Sequence, residues 1–373
     1  MTPLAQVTEL LSQLVACPSV NPKSAAKFSP PLGEAGMVAL LEKLLRSWGA
    51  SIQIHEVHPN RPNLLATFPG KNPGRSILLD AHTDTVAVDG MIIAPFTPTV
   101  RDGRLYGRGA CDTKGPMAAM LLALRRILDE AGQPPVTIYF AATCNEESGG
   151  TGAAALAKQN LRVDFALAAE PTDLKIVHMH KGALRVDIKT SGVAAHSSTP
   201  DRGVNAIYKM CRVVARLERE VAPALAKQKH PQLGSPTLSV GLINGGSQVN
   251  IVPEICSIQV DRRVIPGENQ DEIVRQLAGD EHYEITEFYT ALDEPADSPA
   301  SKHVAAACRR VLGQAEFVVA PYATNAGIYH AAGIPALVLG PGSLAQAHTK
   351  DEFIELNEVV RGVDLFAEII RSL

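Results

Sequence analysis

His82 and Asp84 stand two residues apart at the end of a short apolar run, Ile77-Leu78-Leu79. Residues at that spacing on an extended chain project to the same side, so the imidazole can ligate a metal while the aspartate orients the ring's other nitrogen. Alone, the pair reads equally well as a surface histidine and a turn aspartate. It gains weight because the layout recurs. Val136 to Ala142 is apolar and runs into Asn145-Glu146-Glu147, Phe165 to Ala169 ends on Glu170, and Ile334 to Leu339 leads through Gly340-Pro341-Gly342 to His348. Asp112 lies on a fifth segment, in the loop entering a helix. Two imidazoles and several carboxylates without a thiolate suit zinc, cobalt or manganese. Five ligands are too many for one catalytic zinc, but with one bridging carboxylate they give two metals three ligands each and leave each an open position. Two metals roughly 3.5–4 Å apart can activate a shared water and polarise a carbonyl oxygen. Glu146 and Glu147 are neighbours whose side chains diverge, so one binds metal and the other is free to act as general base.

These residues need a scaffold that brings strand ends together. Each apolar run reads as a strand buried on both faces, and open α/β sheets bind ligands beyond the carboxyl ends of their strands. Around the runs, Thr2 and Pro3 open an amphipathic helix carrying Leu4, Val7, Leu10, Leu11, Leu14 and Val15 on one face. A Pro-rich connection spans Pro18 to Pro31, and a second helix spans Gly33 to Trp48. Strands are expected at Ile52 to Val57 and Asn63 to Phe68, a loop at Gly103 to Gly109, and a strong helix at Pro116 to Glu130.

Beyond Glu170 the pattern changes. Ala183 to Thr190 alternates like a half-exposed strand, then come a helix (Val204 to Val221), strands at Thr237 to Ile243 and Ile255 to Val260, a short helix (Asp271 to Leu277) and a strand (Tyr283 to Phe288). The order strand, helix, strand, strand, helix, strand suggests a ferredoxin-like α+β unit inserted into the first domain.

At 373 residues with a net charge of −4, the chain supports two domains and offers no basic field for nucleic acid or an anionic membrane. Its six scattered cysteines contain no CxxC pair, which fits a reducing cytosol and argues against a disulfide framework. The N-terminus lacks a secretory signal's positive region and never reaches membrane-spanning length. A dinucleotide site is disfavoured because Asp112 stands where the third glycine after Gly107 and Gly109 should be. No GxSxG surrounds a serine, and His178 and His180 lie outside the strand-end set.

The matching segments DAHTDTV (80–86), GRGACDTKG (107–115), CNEESGG (144–150), AAEPT (168–172), AAHSSTPDRGVNA (194–206) and GPGSLAQAHTKDE (340–352) resemble the M20 metallopeptidases and deacylases, in the family's order and across most of the chain. The resemblance implies a zinc-exopeptidase-like catalytic domain, a mixed sheet flanked by helices, made of residues 1–180 and 292–373, with the inserted unit at 181–291 as a lid through which the protein forms a homodimer. It implies that His82, Asp112 and Glu170 hold one zinc ion and that Asp112, Glu147 and His348 hold the other, with cobalt or manganese as alternatives. Asp112 bridges, and the peptide after it is cis. Asp84 is then the partner of His82, and Glu146 is the general base. His196 reaches the other subunit's site, while Asn250 and Arg263 bind the substrate's carboxylate, Arg262 being the alternative.

The implied activity is removal of the N-acyl group from an N-acyl amino acid in the cytoplasm, N-acetyl-L-ornithine being the best match through APYATNAG (320–327) and GPGSLAQAH. Asn325 stands where an acidic residue is expected, and MIIAPF (91–96) replaces a segment in which a tryptophan is common. A succinyl-diaminopimelate substrate or a dipeptide is therefore the alternative. An inactive binding protein on the same fold would be expected to have lost a ligand or the base, whereas this chain keeps all five ligands and Glu146.

Overall fold

The computed structural model describes residues 1–24 and 32–373; the end of the Pro-rich connection, 25–31, lies outside the described residues. The chain divides into one unit of Met1–Met179, Leu292–Val318 and Thr324–Leu373, and another of His180–Ala291 and Val319–Ala323.

In the first unit the large sheet runs in the order Ser51–His58, Arg61–Phe68, Val136–Thr143, Asn72–His82, Phe165–Ala168, Ala336–Val338, Ile176–His180 and Leu292–Asp293. Its middle is parallel. Asn72–His82 pairs in parallel with both Val136–Thr143 and Phe165–Ala168, and the latter pairs in parallel with Ala336–Val338. The registers His82 to Thr143 and Val338 to Ala168 bring four carboxyl ends level, so the residues that follow each strand share one edge. The outer hairpin of Ser51–His58 and Arg61–Phe68 is antiparallel, which makes the sheet mixed.

Helices fill the faces. Pro3–Val15 begins where expected, with the Ala5 N–H donating to Thr2 Oγ1 at 3.3 Å, and it buries Val7, Leu10, Leu11, Leu14 and Val15. Leu4, expected on the same face, is exposed. Ala35–Ser47, Lys114–Ala131, Pro299–Leu312 and Leu356–Arg371 complete the cover, and Met117, Leu121, Leu124, Val363, Phe366 and Ile370 are buried in one core with the strands' Ile77, Leu79, Ile138 and Phe140. The segment expected to be only a loop, Gly103 to Gly109, contains a strand, Arg104–Tyr106, paired with Thr99–Arg101 and with the distant Phe353–Glu355. A partner some 250 residues away leaves no local signal in sequence.

In the second unit four antiparallel strands lie in the order Thr237–Gly245, Ile255–Val264, Gly182–Ser191 and His282–Tyr289. That is the ferredoxin-like arrangement, in which strands one and three in chain order occupy the middle. Leu184, Val186 and Ile188 on the central strand pack with Ile258, Val260, Met210 and Leu277 in a separate core. The helix expected to end at Val221 continues to Lys227. No helix among the described residues is long and apolar enough to cross a membrane.

Candidate metal centre

His82 ends its strand fully buried. Its Nδ1 lies 2.9 Å from the main-chain oxygen of Asp84, which fixes a proton on Nδ1 and leaves Nε2 as the ring atom that faces the carboxylates. That Nε2 sits 3.0 Å from Asp112 Oδ1 and 4.0 Å from Glu170 Oε1. On the other side of the Asp112 carboxylate, Oδ2 lies 3.2 Å from His348 Nε2, which is also 3.1 Å from Glu147 Oε2. Two groups of three donors thus share Asp112, one oxygen facing each, and within each group the donor atoms lie within 4.8 Å of one another. The Asp112–Thr113 peptide is cis.

The electrostatics fit a cation. Burial pushes the Glu146 and Glu170 carboxyls well above the usual range, with neighbouring carboxylates adding to the rise, and Glu147 rises for the same reasons. Asp112 is held low because hydrogen bonds from His348 and His82 outweigh its own burial. His348 is pushed up to about 11, first by its hydrogen bond with Asp112 and then by that with Glu147, so in effect a proton stands where a cation would. Four crowded carboxylates and two imidazoles, all oxygen and nitrogen donors, match the chemistry of zinc, cobalt or manganese and leave a buried negative charge that a divalent ion neutralises.

Asp84 lies where it was expected but acts differently. Its carboxylate is 3.7 Å from His82 Nδ1, and it is the Asp84 carbonyl that takes the ring proton. The carboxylate instead accepts the main-chain N–H of Glu146 at 2.9 Å, that of Glu147 at 3.0 Å, and an amide proton of Asn21 at 2.7 Å. Asn21 also donates to Asn145 Oδ1, and Asn145 N–H donates to Glu34, which is paired with Arg61 in the interior. Neither Asn21, in the Pro-rich connection, nor Glu34, at the start of the following helix, carries a local sign that it will brace a loop more than a hundred positions away. Asn325 is buried, its amide donating to Asp80 Oδ2 at 3.0 Å and to Thr143 Oγ1 at 3.1 Å. Asp80 itself is pushed up to about 6 by burial.

Residues 78–372 match the model of peptidase family M20/M25/M40. The chain is 34% identical to acetylornithine deacetylase of Proteus mirabilis over 98% of its own length and 96% of that protein's. The chain belongs to family M20. It is accordingly a metal-dependent hydrolase, a metallopeptidase or deacetylase in type. Solved structures carry the same fold. A metallo-carboxypeptidase of Sulfolobus solfataricus superposes with a TM-score of 0.80 at 19% identity, over 98% of each chain. A tripeptidase of Staphylococcus aureus gives 0.76 at 24% identity, over 99% of this chain and 98% of that one.

The remaining sequence candidates of this M20 chain lie in the second unit. His196 is exposed, its Nδ1 2.7 Å from Ser198 Oγ, and it forms a β-bridge with Ile251. Asn250, next in line, accepts the Ser197 N–H through its main-chain oxygen and is exposed. The two arginines differ sharply. Arg262 is fully buried and pairs with Glu268, whereas Arg263 is partly exposed and holds Asp261 at 2.9 Å.

Proposed function

We propose that this M20 enzyme removes the acyl group from an N-acyl amino acid, with N-acetyl-L-ornithine as substrate and L-ornithine and acetate as products. The observation that carries the reading is 34% identity to an acetylornithine deacetylase along nearly the whole chain; the two donor groups joined at Asp112 support it. In this reading His82, Asp112 and Glu170 hold one divalent ion and Asp112, Glu147 and His348 hold a second, zinc by preference and cobalt or manganese as alternatives.

When bound, the pair supplies Lewis acidity for the amide carbonyl and for water. Glu146 takes the proton from the attacking water and delivers it to the leaving nitrogen. A carboxyl raised by burial suits that task, since it must keep the proton between the two events. Asp84 keeps the main chain of Glu146 in place throughout. The second unit serves as a lid and as the dimer contact, His196 of the partner subunit steadies the oxyanion, and Asn250 with Arg263 receives the amino acid's carboxylate. Arg263 suits this role better than Arg262, because an exposed fork can exchange Asp261 for a ligand. The enzyme works in the cytoplasm, where its free cysteines stay reduced.

Asn325, in place of an acid beside Asp80, keeps two other substrates in view. The test is acetate release from N-acetyl-L-ornithine by metal-reconstituted protein, with N-succinyl-diaminopimelate and a dipeptide alongside. Selective turnover of the first supports the reading. Turnover of only one of the others moves the enzyme to a sister branch with the same chemistry.

A further inference from the structure

Glu352 follows His348 by four residues and has no part in the mechanism above, yet it is fully buried beside the bridging ligand. Its Oε1 accepts the main-chain N–H of Cys111 at 2.9 Å and of Asp112 at 3.0 Å. Its Oε2 accepts the N–H of Gly109 at 3.0 Å and a guanidinium proton of Arg108 at 2.7 Å. The Gly107 N–H donates to the Glu352 carbonyl at 3.0 Å, so residues 107 to 112 are wrapped around this one glutamate. The wrap is tight. Gly109 has φ +81°, and a Cβ there would meet Thr85 Cγ2 at 2.9 Å and Lys114 Cδ at 3.0 Å.

We infer that Glu352 is the positioning residue for Asp112, its carboxylate gathering the Gly109, Cys111 and Asp112 amides into one cradle that aims the two Asp112 oxygens at the two donor groups. The inference rests on the two-ion reading of Asp112. Charge-assisted bonds to a buried carboxylate are about twice as strong as neutral ones, and here all four donors converge on one group. Because Asp112 serves both donor groups, loosening it should weaken both metal positions, whereas a change at Glu147 should affect one. The segment Ala347 to Glu352 thus delivers a donor, His348, and the brace for a second donor on a different segment.

Glu352→Gln tests this with almost no change in shape. Whichever way the amide is turned, its NH2 faces two of the four donors, so either the Cys111 and Asp112 amides or the Gly109 amide and Arg108 lose their acceptor. Metal binding is measured by titrating zinc into chelator-stripped protein, and coordination is read from the visible absorption of the cobalt-loaded form. Glu352→Gln should bind both equivalents about 10–100-fold more weakly and shift the cobalt spectrum, while Glu147→Gln should weaken one equivalent.

Arg108→Met/Glu352→Gln separates the cradle from simple charge balance. If the double variant regains wild-type affinity, Glu352 merely neutralises Arg108 and the inference falls; if affinity stays low, the cradle stands. Should Glu352→Gln fail to fold, Glu352→Asp keeps the charge and the Arg108 pair but cannot reach all three amides, and weak metal binding by it gives the same support. Wild-type affinity and an unchanged cobalt spectrum in the folded Glu352 variants overturn the inference. Wild-type protein that binds one equivalent would sink the two-ion reading instead, and comparison of that equivalent with Glu352→Gln would still decide the role of Glu352.

Discussion

Asp84 grips the main chain of Glu146, its Oδ1 accepting the N–H at 2.9 Å, while the other oxygen takes Glu147 N–H at 3.0 Å. One carboxylate therefore sets the direction in which two adjacent glutamates leave the backbone. Asp84→Asn presents an NH2 to at least one of those amides. The expected outcome is a fall in kcat of about 10–100-fold with a smaller change in KM, read by steady-state kinetics. A variant with wild-type kcat would show that the clamp is dispensable.

Glu146→Gln keeps the volume and removes the proposed base. It should bind metal with wild-type stoichiometry and lose roughly 10²–10⁴-fold in turnover, the usual contribution of a positioned acid-base group. Metal analysis of the purified variant beside its rate decides the matter. Retained activity would transfer the role to another group.

Removing the metal should destabilise the protein, because four carboxylates would then share a buried space with two imidazoles. Chelator-treated protein is expected to melt at a lower temperature, and added zinc, cobalt or manganese should restore the melting temperature in a concentration-dependent way. Scanning calorimetry with each ion in turn would also rank the metals. A melting temperature indifferent to metal would contradict the donor geometry.

The neighbouring arginines should fail in opposite ways. Arg262→Leu strips the buried pair from Glu268 and is expected to cost about 3 kcal/mol of stability, at the low end for a broken buried pair because Glu268 keeps some solvent contact. Arg263→Leu should leave stability within about 0.5 kcal/mol and raise KM. Urea denaturation and kinetics on both variants would distinguish them, and a KM effect confined to Arg262→Leu would reverse their proposed roles.

Four of the five donor-bearing segments were legible because each follows an apolar run, whose ends the parallel registers bring level; the fifth, with Asp112, was legible as the loop entering a helix. Strand and helix boundaries moved by a few residues, as with Asn72–His82 around the Ile77 to Leu79 run. What stayed hidden is of one kind. The Asp84 carbonyl that takes the His82 proton, the Asn21 amide behind Asp84, and Tyr106 paired with Phe353 are all contacts whose partner is fixed by tertiary position or main-chain geometry. Residue type and spacing carry no trace of them. Asn325 was legible as a departure, but its tie to Asp80 appears only once the two segments meet.

The order in which the polypeptide is made bears on the donor groups. His82, Asp112, Glu147 and Glu170 all precede the second unit, and His348 follows it, on the segment after Ala336–Val338 that pairs back onto Phe165–Ala168. At about 5–20 residues per second, the ribosome reaches His348, 178 residues on, roughly nine to thirty-six seconds after Glu170. Until then the nascent chain holds an incomplete set of donors with an acidic excess. The second donor group is therefore completed late in synthesis, and under the two-ion proposal its ion would load only once the C-terminal segment has arrived.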